Sequence, residues 1–193
     1  MLSQFRDRVS VLLAPDRIAI KRTKAGSKRK DLAEKVYPVN QDHVLVWSAA
    51  IAKLEEAVAE NELNNANIEI VVSNRFVQYV LIPWNSDMVE HADYAAWVRH
   101  CVSKTHGSAA MQWDIRHSIE GFGQPVLAAA LDRELQVQLA RALARPGLRL
   151  ISVEPWLVGA FNFWRRKMQG DAVWFVMIEP MRLYRSQDVR APK

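Results

Sequence analysis

The sequence predicts an α/β domain in which helices cover a sheet, and three observations carry that prediction. Residues 125–168, PVLAAALDRELQVQLARALARPGLRLISVEPWLVGAFNFWRRKM, hold a strand, helix, strand, helix succession with its punctuation in place. The N-terminal part alternates short β-rich runs with turn residues before the first helical period appears. Half of the 193 residues are hydrophobic, so one domain, or two intimately packed lobes, can bury a sizeable core. Alternating strands and helices favour helices packed on a sheet over a sandwich or a bundle.

Residues 8–14 and 17–23 are strand-like runs joined by Pro15 and Asp16, a pair suited to a tight turn, so the chain is expected to open with a hairpin. Residues 24–30, KAGSKRK, form a basic loop before a third strand at residues 34–39. Trp47, Ile51, Leu54 and Val58 mark one face of a helix whose other face carries Lys53, Glu55, Glu56 and Glu60. Residues 61–67 end it. Residues 68–72 and 76–82 are strands separated by a Ser73-Asn74 turn and closed by Pro83. Asp87 with Glu90 has capping-box spacing, and Tyr94, Trp97, Val98 and Cys101 follow a helical period behind it. Residues 111–118 are strand-like, and residues 121–124 lead as a loop into the strand at 126–130.

Asp132 offers a side-chain oxygen to the open N–H groups of a helix that turns Leu135, Leu139, Ala142 and Leu143 inward and Arg133, Glu134, Gln138 and Arg141 outward. Pro146 and Gly147 stop that helix. Residues 148–153 then form a buried strand, Pro155 suits a first helical turn, and Trp156, Ala160, Phe163 and Trp164 carry the last helix. Residues 173–178 and 181–185, separated by Glu179 and Pro180, give a terminal hairpin.

The formal charge of +5 is uneven, because residues 1–35 hold ten Lys or Arg against Asp7, Asp16, Asp31 and Glu34. The rest is close to neutral. A single cysteine, Cys101, excludes an intramolecular disulfide and suits a reducing compartment. No apolar run approaches the roughly 20 residues that a bilayer span needs, so the expectation is a soluble cytoplasmic chain.

Particular residues suggest a family. The run VVSNRFVQYVLIPW at residues 71–84, the helix after it, MQWDI at 111–115, PVLAAALDREL and GLRLISVEPWLVGAF together resemble the actin-like cytoplasmic proteins of type IV pilus assembly (PilM type) and their relatives in MSHA pilus biogenesis (MshI type) and type II secretion (GspL type). The resemblance covers residues 9–185. It implies the N-terminal half of an actin-like, ribonuclease H-like α/β fold with a mixed sheet. Residues 1–83 and 131–170 would form a core lobe, residues 84–130 an inserted small lobe, and residues 171–193 the start of a second lobe or a terminal hairpin.

The resemblance further implies a scaffold at the inner face of the bacterial inner membrane that handles short segments of membrane-anchored partners. Nucleotide-binding members carry an Asp-x-Gly near the end of the first strand and another at the start of the second half. Here those positions read LLAPDRI and FVMIEPMRLYR. Neither has a glycine, and Pro180 removes a backbone donor where an anion would sit. The expectation is therefore no ATP site and no cofactor, with apolar surface left for a partner, a second copy or the terminal hairpin to cover.

Other chemistry is sparse. His100, Cys101 and His106 are close in sequence, but His100 and Cys101 point about 100° apart on a helix and no second cysteine completes a tetrahedral site, so no metal is expected. Cys101 beside Trp97 and Val98 reads as a small buried hydrophobe rather than a nucleophile. Gly121-Phe122-Gly123 lacks the strand-to-helix context of a phosphate loop, no G-x-S-x-G elbow occurs, and nothing converges on Glu154. No catalytic residue is assigned and an enzyme is not expected.

The candidate partner-binding residues are Arg17, Lys21, Arg22, Lys28, Arg29 and Lys30 of the basic segment, with Trp84 and Trp156 as interface aromatics. The plain reading of the basic segment is a solvated hairpin flank, and of the tryptophans, core packing. The function expected first is a non-catalytic scaffold binding a cytoplasmic segment of an inner-membrane pilus or secretion protein, with a homodimer as a further arrangement and only peripheral membrane contact. The alternative is a basic-surface binder of anionic lipid or nucleic acid, the latter disfavoured because no aromatics interleave the basic run.

Overall fold

The computed structural model describes residues 6–25, 30–40, 47–60, 63–87, 91–118, 123–168, 173–179 and 182–189, with backbone alone for residues 30–31, 91–92, 173–174 and 182–189. The first two strands, β1 (Asp7–Leu13) and β2 (Arg17–Lys24), pair antiparallel as the expected hairpin. Its turn is closed by the Ala14 N–H donating to the Arg17 carbonyl at 2.9 Å. A two-residue strand that was not expected, β3 (Lys30–Asp31), precedes the strand expected at residues 34–39, which is β4 (Lys35–Pro38), and each pairs antiparallel to β2. The basic segment is thus partly folded back onto β2, with Thr23 opposite Asp31 and Lys24 opposite Lys30.

Helix α1 (Ser48–Ala59) buries Ile51, Leu54 and Val58 together with Trp47, the face that its period marks. Strand β5 (Ala66–Val72) begins two residues before its expected start and lies parallel to β1. Its inward residues Ala66, Ile68, Ile70 and Val72 are all fully buried, as are Val9, Val11 and Leu13 of β1. Together these form a strict period-2 pattern facing the helices.

Beyond β5 the chain leaves this sheet. Strand β6 (Val77–Ile82) was expected with the core lobe but pairs antiparallel with β8 (Val126–Asp132), which also pairs β7 (Trp113–His117), in a separate three-stranded sheet. The cause is local: Asn74–Phe76 is a single 3-10 turn that redirects the chain between β5 and β6. Helix α2 (His91–His106) packs Val98 and Val102 against this second sheet, with Tyr94, Trp97 and Cys101 half-buried beside them. The start of the strand expected at residue 111 is instead a 3-10 segment, Gly107–Gln112. The capping box at Asp87 and Glu90 and the loop at residues 121–122 lie wholly or partly outside the described residues.

Helix α3 (Arg133–Ala142) returns to the first sheet with Asp132 as its cap, its Oδ1 accepting from the Glu134 N–H at 2.9 Å. Leu135, Leu139, Ala142 and Leu143 are buried as the period requires. Gly147 after it has φ +86 and packs against the Asn65 backbone at 3.5 Å, a left-handed position where a side chain would be strained. Strand β9 (Leu148–Pro155) then runs parallel to β5 and completes the order β3-β2-β1-β5-β9, with β4 also on β2.

β9 was expected to be buried, yet none of its residues is. Among the described residues it is the sheet's outer strand with a partner on one side only, and a register shift opposite Ile68/Glu69 leaves Ile151 as an extra, exposed residue. Pro155 is the residue before α4 (Trp156–Trp164) rather than inside its first turn. The terminal hairpin, β10 (Val173–Glu179) with β11 (Arg182–Val189), stands as a two-stranded sheet of its own and is longer than expected.

Candidate functional site

The structure brings together three places that lie far apart in the sequence: the ends of β1 and β5, the start of α4 and the end of β10. Ser73 follows β5 directly. Its N–H donates to the Leu13 carbonyl at the end of β1 (2.8 Å), and its hydroxyl oxygen accepts from the Arg75 N–H (3.1 Å), capping the 3-10 turn. The same hydroxyl donates to Glu179 Oε2 at 2.6 Å. Asn74 adds two donors on the other carboxylate oxygen, its backbone N–H at 3.1 Å and its Nδ2 at 2.6 Å. Ser73 and Asn74 are fully buried and Glu179 is 3% exposed. A carboxylate so far from water must be hydrogen-bonded, and here both of its oxygens are held.

The orientation of Asn74 is fixed from its other end. Its Oδ1 accepts from the Tyr79 hydroxyl (2.6 Å) and the Leu157 N–H (2.9 Å), so Nδ2 has to face Glu179 Oε1 and Met177 Sδ. Leu157 is the second residue of α4, and its N–H is one of the donors a helix start leaves open. Pro155 has no side chain able to cap it, so Asn74 caps α4 from another element.

Around this buried knot, among the described residues, the surface is largely apolar and only partly covered. None of the nine α4 residues, WLVGAFNFW, is buried, and Phe163 and Trp164 are 67% and 46% exposed. Trp164 was expected on a covered face. It stays open because only one side of α4 meets the sheet, and Lys167 Nζ lies 4.7 Å from its ring centroid. β10 alternates: Met177 and Glu179 turn inward, Phe175 meets Phe161 edge-on at 5.9 Å, and Val176 and Ile178 face out at 50% and 75% exposure. Glu154 lies beside α4, accepting from Asn162 Nδ2 at 3.4 Å and packing on Gly159.

The residues singled out from the sequence are dispersed. Arg17 is bonded to Asp16 at 3.0 Å. Arg22 holds Asp7 at 2.9 Å and reaches the Asn64 carbonyl at 3.1 Å. Strand alternation places Arg22 on the face opposite Arg17 and Lys21. Lys30 contributes its backbone to the β2–β3 ladder, and Lys28 and Arg29 lie outside the described residues. Trp156 opens α4, half-buried, next to Leu157. Trp84 is half-buried beyond β6 of the other sheet.

Asp7 has its carboxyl held below its ordinary value of 3.8 by the Ala25 N–H and, after a smaller opposing effect of burial, by Arg22. Burial pushes the Cys101 thiol up, in keeping with a packed hydrophobe. His100 stacks on Trp97, and His106 meets Trp113 edge-on. Sequence reasoning missed Ser73, Asn74 and Glu179, which it assigned to turns. The one hint was polar residues directly after an apolar strand.

The fold defined by these elements is actin-like. The cytoplasmic domain of EpsL, an inner-membrane component of the type II secretion system of Vibrio cholerae, is similar with a TM-score of 0.67 at 7% identity, over 96% of this chain and 69% of that one. A PilM–PilN type IV pilus biogenesis complex gives a TM-score of 0.59 at 14% identity over 88% of this chain, which spans only 53% of the matched chain. A Bacteroides thetaiotaomicron protein of actin-like ATPase fold gives 0.55 at 9% identity, over 97% of this chain and 72% of that one. No family model matches the sequence, and no curated protein does.

Proposed function

We propose that this chain is an actin-like assembly module of a type IV pilus or type II secretion apparatus, acting at the inner face of a bacterial inner membrane without nucleotide chemistry. It binds a cytoplasmic segment of an inner-membrane partner through α4 and the outer face of β10. The observation that carries this reading is the apolar surface left by Phe163 and Trp164 at the end of α4 and by Val176 and Ile178 on β10, since exposed apolar surface of this kind marks interaction sites. The fold likeness supports the setting, while function itself has to come from the site.

The absence of nucleotide chemistry is supported by the strand ends. In nucleotide-binding relatives the two Asp-x-Gly turns face the phosphates. Here the equivalent segments meet at Ser73, with Leu13 on one side and the Glu179 carboxylate on the other. Both Glu179 carboxylate oxygens and the Ser73 and Asn74 donors are already engaged with one another, the Ala14 N–H is spent on Arg17, and Pro15 has none to offer. Among the described residues no helix is long and apolar enough to cross a membrane. For the basic-surface alternative, Arg17 and Arg22 hold the acidic partners Asp16 and Asp7, and Lys28 and Arg29 lie outside the described residues.

Calorimetric titration with cytoplasmic segments of inner-membrane pilus and secretion proteins tests the reading. A complex that is lost in the F163S/W164S double variant is expected. Failure of every such segment to bind, or binding that ignores the double variant, refutes it. Self-association through the same residues would make a second copy the occupant instead.

A further inference from the structure

Glu179 is the one buried acid among the described residues, and no Lys or Arg among them forms an ion pair with it. Its charge rests on three donors from two adjacent residues: the Ser73 hydroxyl on Oε2, and the Asn74 N–H and Nδ2 on Oε1. These donors are positioned by parts of the molecule outside the hairpin. Leu13 and Arg75 hold Ser73, and Tyr79 and Leu157 hold Asn74. The receptor is therefore organised by the core, and the hairpin only inserts into it. Among the described residues β10 pairs with β11 alone, and no sheet hydrogen bonds fasten the hairpin to either larger sheet.

We propose that Ser73 and Asn74 form a carboxylate-binding site whose resident ligand is the Glu179 side chain, and that a free carboxylate binds there when that side chain is removed. The chemical class follows from the donor set. Two donors on one oxygen and one on the other suit a flat, singly charged, two-oxygen group. A phosphate would add a third oxygen without a donor and a second charge without a cation. The carboxylate is thus the polar pin of the hairpin, and its exchange would free β10 from the core and expose Met177, now 8% exposed. The site stands independently of the partner-binding function proposed above, because it needs no partner.

The test uses the whole chain with Glu179→Ala. The atoms removed, one methylene carbon and the carboxylate, match the heavy atoms of acetate, so acetate is the probe that fills the space. Sodium acetate is expected to raise the melting temperature of E179A to a plateau by mass action, while sodium chloride and inorganic phosphate at equal ionic strength do not, and the N74A/E179A double variant does not respond. No acetate-specific rise, an equal rise with phosphate, or an equal rise in the double variant overturns the proposal. Should E179A not fold, E179Q keeps the shape and removes the charge. The Asn74 amide is then expected to exchange with solvent about tenfold faster than in the wild type, and equal rates overturn the proposal.

Discussion

Replacing Asn74 by alanine is the sharpest perturbation of this architecture, because its side chain joins β6, α4 and β10 at one point. The change removes the acceptor used by the Tyr79 hydroxyl and the Leu157 N–H, and the amide donor 2.6 Å from Glu179 Oε1. A bond between uncharged groups contributes about 1 kcal/mol net, and one to an ionised group about 2. Removing all three should cost about 4 kcal/mol, a large part of the roughly 5–15 kcal/mol that holds a domain folded. Urea unfolding of wild type and N74A, followed by tryptophan fluorescence, gives the difference directly.

Asn74→Asp is the companion variant. It keeps an acceptor for Tyr79 and Leu157 but replaces the amide donor to Glu179 with a second carboxyl group, so it should be as damaging as N74A at neutral pH. A loss below about 1 kcal/mol in N74A, against the few that a buried polar network should show, would refute this reasoning.

Other expectations can be measured on the same material. Asp7→Asn should lower stability at pH 7 by about 1 kcal/mol. Because the folded carboxyl lies below 3.8, that difference should persist above this value and close as pH falls through the folded value, seen by denaturant midpoints in wild type and variant. Cys101 should react with a thiol reagent at pH 8 more slowly than an exposed cysteine, and rapidly once urea unfolds the chain. Ile70→Ala, at a fully buried site on β5, should cost about 2–5 kcal/mol. Phe163→Ser should change stability by less than about 0.5 kcal/mol, as its side chain is mostly exposed, while weakening the partner complex.

What the sequence made legible was local. The Asp132 cap, the 3.6-residue period of Leu135, Leu139 and Ala142, and the Pro146-Gly147 stop all concern neighbours a few residues apart, where geometry follows from residue type. Strand existence was legible too, but sheet membership was not. The alternation of residues 77–82 is the same whether β6 joins β5 or β8, and only the 3-10 turn at Asn74 decides it. The exposure of β9 was hidden for a related reason, since an apolar run does not state whether it has one neighbour or two. The carboxylate cradle was least visible of all. Ser73 and Glu179 are 106 residues apart, and each alone has the composition of an ordinary turn.

The proposed absence of nucleotide chemistry rests on an actin-like fold in which Ser73 links the end of β1 to the Glu179 carboxylate. Calorimetric titration of the protein with magnesium and ATP addresses that claim most directly. No binding heat is predicted up to millimolar nucleotide, whereas saturable binding with a micromolar Kd would contradict it.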